Sequence, residues 1–255
     1  MSEEIQLTVE DRIATVTMAR QPVNALTSAL YAELGDLFLS FVTRDDINCV
    51  VFASASEKTF CAGKDLKEFL SARLEDDPAQ AYNVRRTFEA IRHCPVPVIA
   101  KVNGPALGAG CVLAAVSDIR VASEKATFGL PEINVGRCGG TAHLGRLIPQ
   151  GAVRLMYFTG QPVSAAEAYR LGLVDVLVAP EELDDTVNAM ARTIAAKSPV
   201  GLRVGKKSLN EAEEMQVDAG YAREQSYSTQ LMRTNDAREA TRSIVEKRAP
   251  VFTGT

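Results

Sequence analysis

Histidine is scarce in this 255-residue chain, which has only His93 and His143, and its five cysteines show no paired metal-ligand spacing. We therefore expect no zinc site, and with no secretory context the simplest interpretation is reduced thiols in a cytoplasmic protein. No apolar stretch approaches the roughly 18 residues of a membrane-spanning helix. The acidic start Met1-Ser2-Glu3-Glu4 also lacks the basic residues and apolar run of a secretory signal.

The motifs of several common enzyme classes are missing as well. No Gly-x-Ser-x-Gly sequence marks a serine nucleophile, and two histidines leave few ways to activate Cys61 or Cys138. Gly108 and Gly110 form a Gly-x-Gly sequence, but Leu113 stands where a dinucleotide fingerprint has its third glycine, and no P-loop Gly-Lys-Ser/Thr follows. A formal net charge of −4 disfavours a general nucleic-acid binder, which needs a basic face.

Strands that alternate with helices are the main pattern that is present. Alternating apolar residues over 5–18 predict a hairpin with its turn at Glu10-Asp11, and helical spacing follows over 27–41. Short apolar runs predict buried strands at 47–52, 96–102 and 119–122. Such alternation predicts right-handed crossovers and a mainly parallel sheet, hence an α/β fold.

The last third of the sequence is mainly helical in pattern. A brief strand-like run at 173–178 precedes helical patterns over 180–197, 199–214 and most of 217–247. We therefore expect two parts, an α/β core over residues 1–195 and a helical C-terminal region over 196–255.

Two glycine-containing segments could bind an anion through their backbone. In Phe60–Leu66 small residues precede a helix start and could expose N–H groups; alternatively this is a plain turn in which Asp65 complements the helix dipole. In Asn103–Cys111 a Gly-rich helix start could let a ligand approach the backbone, or its small residues could simply allow tight packing.

A third segment, Phe128–Gly136, contains Glu132 after Pro131 and among apolar residues. Such surroundings raise the pKa of a carboxylate, which suits a general base near neutrality, although a surface cap on a short helix is the alternative. Arg137 just beyond it could be a salt-bridge partner, a solvated charge or a polar group of a pocket.

Taken in order, these segments resemble the crotonase superfamily, the enoyl-CoA hydratase/isomerase family, over essentially the whole chain. The corresponding elements are Asn24-Ala25-Leu26, Phe60–Leu66, Asn103–Cys111, Pro131-Glu132, Gly139-Gly140-Thr141 and Glu246-Lys247-Arg248. The resemblance implies a crotonase-like spiral of ββα units and C-terminal helices that form a homotrimer or a dimer of trimers. It also implies an acyl-CoA substrate, with coenzyme A as part of the thioester and no separate cofactor.

By motif position, the resemblance implies that the backbone N–H groups of Lys64 and Ala109 hold the thioester oxygen and that Glu132 is the catalytic carboxylate. Preorganised donors of this kind stabilise a developing oxyanion by roughly 3–4 kcal/mol each. Lys247 is a candidate for reaching the CoA phosphates of a neighbouring subunit. The full set of implied substrate-binding residues is Ala25, Ala62, Gly63, Asp65, Leu66, Gly108, Gly110, Val112, Arg137 and Lys247.

Two departures from the family pattern shape the functional expectation. Family hydratases use two glutamates to position and activate water, and Val112 stands where the first would be. The loop before Gly139 is also shorter, which predicts a reshaped acyl pocket near Arg137. One base suffices to move a double bond, so we expect an enoyl-CoA isomerase. The alternatives are a hydratase or another acyl-CoA lyase or hydrolase, and a catalytically idle module that binds CoA esters.

Overall fold

The computed structural model describes residues 2–255, and its framework is a main sheet of six strands with a small sheet beside it. The main sheet has the order β1 (Ile5–Glu10), β2 (Ile13–Met18), β3 (Cys49–Ser54), β4 (Val98–Val102), β6 (Ile119–Ser123) and β9 (Val176–Val178). The small sheet has the order β5 (Ala106–Leu107), β7 (Thr127–Gly129) and β8 (Val163–Ser164).

Eleven helices are found among the described residues. The first seven are α1 (Ser28–Ser40), α2 (Leu66–Ser71), α3 (Asp77–Arg92), α4 (Ala109–Val116), α5 (Thr141–Leu144), α6 (Gln150–Thr159) and α7 (Ala165–Leu171). The last four are α8 (Leu183–Ala195), α9 (Pro199–Ala212), α10 (Val217–Leu231) and α11 (Asn235–Val245).

The predicted hairpin is confirmed, because β1 and β2 pair antiparallel with Ile5 opposite Met18. Its turn lies one residue later than expected, at Asp11 and Arg12, which have φ values of 48° and 64°. Two consecutive residues with positive φ match the twist of a tight hairpin.

The predicted mainly parallel sheet is also confirmed, since the pairs β2–β3, β3–β4, β4–β6 and β6–β9 are all parallel. A parallel sheet is covered on both faces, and here α8 packs one face with Val187 among Val51 and Ile99. The other face contacts α1 through rings that meet edge to face, with Phe38 and Phe52 centroids 5.5 Å apart and Phe52 and Phe60 centroids 5.8 Å apart. This row of rings anchors Phe60, the first residue of a candidate anion-binding segment.

Helix α3 was not predicted from the sequence. Pro78 lies in its first turn, where a missing N–H costs nothing and the fixed φ suits a helix, so this proline begins a helix rather than breaking one. The short strands of the small sheet were also missed, because two or three residues carry no measurable alternation.

The C-terminal pattern over 217–247 proves to be two helices, α10 and α11, separated where the Thr234 side chain caps α11 by accepting from Ala237 N–H. Lys206 of α9 is buried and donates to Asp118 Oδ2 at 2.6 Å, which ties this region to the core. Residues 196–198 connect α8 to α9, and the division into 1–195 and 196–255 stays a prediction.

Candidate active site

A cavity of about 500 Å³ opens between α1 and α3 on one side and the start of α4 with the 131–135 turn on the other. Its wall is mostly apolar, and Glu132 is the only carboxylate in it. Nine of the residues expected from the sequence share this wall: Ala62, Gly63, Lys64, Leu66, Gly108, Ala109, Val112, Glu132 and Arg137.

The first candidate segment is fixed in place by the Asn24-Ala25-Leu26 motif. Leu26 N–H donates to Gly63 O at 2.8 Å and Asp65 N–H donates to Leu26 O at 2.9 Å, so the two stretches pair like parallel strands. Buried Asn24 donates from Nδ2 to Phe60 O at 3.0 Å. The N–H of Lys64, which lies between these two bonds, does not take part in the pairing and has no hydrogen-bond partner among residues 2–255.

The second segment meets the first through two glycines with positive φ. Gly63 has φ +92°, and a Cβ there would lie 2.8 Å from Leu107 O and 3.4 Å from Ala109 N. Gly108 has φ +55°, and a Cβ there would lie 3.1 Å from Glu132 Oε1 and 3.9 Å from Gly63 Cα. Only glycine allows both the conformation and the close approach.

Ala109 is the first residue of α4, and its N–H also has no partner in the described chain. The first N–H groups of a helix have no intrahelical acceptor, and the helix dipole adds positive potential there. Since the two segments touch, the free N–H groups of Lys64 and Ala109 form a pair of backbone donors beside the cavity. Such a pair can stabilise a thioester enolate oxygen.

Glu132 lies beside these donors, on the short helical turn Pro131–Val135. Its Oε1 faces Gly108, while Oε2 is buried and has no hydrogen-bond partner within residues 2–255. Burial raises the pKa of this carboxyl above the ordinary glutamate value. A desolvated carboxylate of raised pKa is a stronger proton acceptor, as a general base needs to be.

Val112 has only methyl groups at the position where the resemblance to the family hydratases implies a first glutamate. It is buried on the first turn of α4, and a Cβ on Gly140 would come within 2.9 Å of its Cγ2. The Gly139-Gly140-Thr141 stretch therefore packs against this valine. No side-chain atom of residue 112 can hold a water molecule or exchange a proton.

Arg137 both forms a salt bridge and lines the cavity. It pairs with Asp77 at the start of α3, and its guanidinium lies 5.0 Å from the Phe69 ring centroid. Lys64 Nζ lies 5.1 Å from the same centroid and donates to Gln80 Oε1 at 2.9 Å. Phe69 thus holds both cations by cation–π contact, and burial followed by the charge of Arg137 lowers the pKa of Lys64.

Four of the expected substrate-binding residues are not part of the cavity wall. Ala25 O accepts from Arg20 Nη1 at 2.9 Å, and Asp65 caps α2 and pairs with Arg20 at 2.9 Å. Gly110 packs against the first segment, where a Cβ would lie 2.2 Å from Cys61 O. Lys247 is exposed at the end of α11. Their contacts with substrate stay predictions.

The cysteines differ in their exposure. Cys61, Cys49, Cys94 and Cys111 are buried and only Cys138 is exposed. Burial raises the pKa of the Cys61 thiol to about 12, so it stays protonated and unreactive at neutral pH.

Four aromatic residues of the wall were missed from the sequence: Tyr31, Phe69, Phe88 and His143. Tyr31 follows the helical spacing of α1, so its position indicated only burial. The one available signal was a hydroxyl on an otherwise apolar helix face.

Comparisons with known proteins agree with this geometry. The family model described as enoyl-CoA hydratase/isomerase matches residues 8–255. A short-chain-enoyl-CoA hydratase of Clostridium acetobutylicum is 33% identical over 243 residues, covering 94% of this chain and 93% of that protein. A (7aS)-7a-methyl-1,5-dioxo-2,3,5,6,7,7a-hexahydro-1H-indene-carboxyl-CoA hydrolase of Mycobacterium tuberculosis is 38% identical over 243 residues, covering 94% and 97%.

The fold is shared with solved structures. The crystal structure of an enoyl-CoA hydratase of Mycobacterium smegmatis superposes with a TM-score of 0.94 at 33% identity, covering 98% of this chain and 99% of that one. The expected crotonase-type α/β fold is therefore confirmed, and with it the class of acyl-CoA enzymes. Since the family model covers nearly all of the sequence, the chain belongs to the enoyl-CoA hydratase/isomerase family. No helix in residues 2–255 has the length and apolar character to cross a membrane.

Proposed function

We propose that the protein moves the double bond of an enoyl-CoA, converting a 3-enoyl thioester into the conjugated 2-enoyl thioester. The observation that carries this proposal is a single carboxylate, Glu132, on a cavity wall that also holds two free backbone N–H groups. One base and one oxyanion site are all that this reaction needs.

The reaction proceeds in two proton transfers. Glu132 takes a proton from C2, and the electrons of that C–H bond form a dienolate whose negative charge lies on the thioester oxygen. The N–H groups of Lys64 and Ala109 donate to this oxygen. The protonated Glu132 then returns the proton to C4 while the carbonyl reforms, so the product has the same mass as the substrate.

Hydration is disfavoured by Val112. Adding water across a 2-enoyl thioester requires groups that hold the water and deliver its proton, and the family hydratases use two glutamates for this purpose. By motif position the resemblance puts one of them at residue 112, where this chain has the methyl groups of a valine on the first turn of α4. The same base could still serve other enolate chemistry on this fold.

A second candidate function is hydrolysis of a CoA ester whose acyl group contains ring ketones. It is favoured by the 38% identity to the Mycobacterium tuberculosis protein, whose name gives a dioxo, fused-ring acyl-CoA as its substrate. In that case Glu132 would deprotonate a water molecule instead of C2. The bond broken would be the thioester C–S bond, with coenzyme A as the leaving group, so the products would be the free acid and coenzyme A, whose masses together exceed that of the substrate by one water.

The test supplies purified protein with a 3-enoyl-CoA and a 2-enoyl-CoA separately and follows conjugated-thioester absorbance and product mass. A gain of conjugation from the 3-enoyl substrate at unchanged mass is expected. Loss of conjugation from the 2-enoyl substrate with one water added would replace the proposal by hydratase. Binding of CoA esters without reaction of either would favour the idle module.

A companion variant tests the role of residue 112. Val112→Glu restores a carboxylate on the first turn of α4, facing the same cavity as Glu132, and we expect it to gain hydration of the 2-enoyl substrate. Val116→Glu, on the same helix outside the cavity wall, controls for adding a carboxylate to α4. Equal hydration in the two variants would contradict the interpretation of position 112.

The proposal includes assembly as a homotrimer or a dimer of trimers in the cytoplasm. Support comes from apolar side chains left exposed on the C-terminal helices, among them Val217 at 84%, Ile244 at 78% and Val245 at 77% exposure. Ile244 and Val245 are adjacent at the end of α11, and contiguous exposed apolar groups mark protein contacts. The five unpaired cysteines suit a reducing compartment.

A further inference from the structure

One end of the cavity is built from rings that three different helices supply. Tyr31 comes from α1, Phe88 from α3 and His143 from α5. The Phe88 ring meets the other two edge to face, with its centroid 6.2 Å from that of Tyr31 and 5.7 Å from that of His143. Phe88 therefore fixes the spacing of two rings that carry polar atoms.

Those polar atoms have no hydrogen-bond partners within residues 2–255. The backbone carbonyl of Tyr31 accepts from Thr87 Oγ1 at 2.6 Å, but among residues 2–255 its phenol oxygen forms no hydrogen bond. The ring nitrogens of His143 likewise have no partner in the described chain. Tyr31 is only 2% exposed, yet it lines the cavity, so its hydroxyl can be satisfied only from within that space.

Both groups are neutral near pH 7. Burial, followed by the nearby Cys61, Glu132 and Glu68, raises the pKa of Tyr31, which therefore keeps its proton. Burial, followed by Arg146 and Arg92 and opposed by Glu89, lowers the pKa of His143, which is therefore an uncharged imidazole. A phenol and a neutral imidazole can donate a hydrogen bond to an uncharged oxygen.

The cations of the wall are engaged elsewhere. Lys64 donates to Gln80 and Arg137 pairs with Asp77, and both lie over Phe69 rather than Phe88. Arg85, the third cation of the wall, pairs with Glu89 at 3.6 Å and lies over the Tyr82 ring. The ring-lined end therefore offers neutral hydrogen-bonding groups instead of a countercharge.

We propose that Tyr31 and His143 form a subsite for a neutral oxygen on the acyl group, a ketone or a hydroxyl, carried on a ring-sized skeleton that packs against Phe88. The inference rests on the acyl-CoA substrate of the proposed function, and it adds the chemical class of the acyl group. A buried donor left unpaired is costly, so a site of this kind discriminates against the analogue that lacks the oxygen.

The subsite is tested by binding of ligands that have no carbon–carbon double bond to move, so that its outcome does not depend on isomerisation. Cyclohexylacetyl-CoA is compared with its 2-, 3- and 4-oxo derivatives by calorimetry on the full-length protein. All four are saturated thioesters, and each pair differs only by a ring methylene replaced with a carbonyl. We expect at least one oxo derivative to bind about tenfold more tightly than the parent, as one well-formed hydrogen bond provides.

Variants assign the preference to its residues. The ratio of interest is the dissociation constant of the parent ligand divided by that of the preferred oxo derivative. Tyr31→Phe should reduce this ratio to about one or below, because the hydrogen bond is lost. The affinity for the parent ligand should change less than about twofold. His143→Phe provides the second variant, and Tyr169→Phe, exposed on α7, is the matched control. Melting curves of all three check that each remains folded.

Two results would overturn the subsite. In one, the parent binds as tightly as every oxo derivative, which would mean that water alone satisfies these groups. In the other, the oxo preference persists in both Tyr31→Phe and His143→Phe. If the oxo preference is found but no 3-enoyl thioester is isomerised, the subsite stands and the proposed reaction fails.

Discussion

The two walls of the active-site cavity are built in different ways. On one wall the groups expected to contact the thioester belong to the backbone, and two glycines with positive φ hold them in place. On the other wall Tyr31, Phe88 and His143 reach the cavity as side chains of three helices. A backbone site cannot be altered without changing the chain path, whereas a side-chain site changes with a single substitution. The first wall therefore suits an invariable chemical step, and the second suits selection among acyl groups.

Among changes that distinguish the two walls, the largest expected effect comes from breaking the backbone wall at Gly108. Gly108→Ala places a Cβ 3.1 Å from Glu132 Oε1 in a conformation with φ +55°, which displaces both the base and the Ala109 N–H. Loss of one oxyanion donor alone costs about 10²–10³ in kcat, so we expect a loss of at least that size in steady-state assays. Gly151→Ala has open space around its Cβ and should keep full activity. A Gly108→Ala enzyme within tenfold of the parent would contradict a glycine-dependent site.

A smaller effect is expected from pH. The pKa of Glu132 is raised by burial, and the base must be ionised to accept a proton. The rate constant kcat/KM should therefore fall as the pH decreases through that raised pKa, with a midpoint above the ordinary glutamate value of about 4.3. Stopped assays over a pH series in constant ionic strength measure it. A midpoint at or below the ordinary value would mean that the base is solvated in the free enzyme.

The smallest effect is expected at Arg137, whose side chain lines the cavity away from the ring-lined end and is 42% exposed. Arg137→Ala removes a surface ion pair with Asp77 and a contact with Phe69, so the free energy of unfolding should fall by about 0–1 kcal/mol. Chemical denaturation measures this, with Arg73→Ala, which breaks the exposed pair with Glu75, as the control. A hundredfold loss of kcat would instead place Arg137 in the catalytic machinery.

The same contrast explains what the sequence could predict. Lys64, Ala109 and Glu132 could be predicted to lie at one site because their wall needs small residues at fixed positions, and these leave ordered motifs that resemble those of the family; their catalytic roles stay predictions. Tyr31 and His143 were not, because the spacing of α1 indicates which residues are buried but not which cavity they face. The alternation of strands and helices predicted the parallel sheet. Helix α3 was not predicted, because Pro78 in its first turn is more typical of a loop. Local patterns carry no information on where three separate helices converge.

The central claim is that one carboxylate carries the proton, and Glu132→Gln tests it most directly. The substituted amide would keep the shape of the side chain but could not accept a proton from C2, so kcat for a 3-enoyl-CoA should fall by about 10²–10⁴. Affinity for a saturated acyl-CoA should stay within a few-fold, since the backbone donors remain. Glu124→Gln, exposed and outside the cavity, is the control. Unchanged turnover in Glu132→Gln would remove this residue from the mechanism and contradict the account.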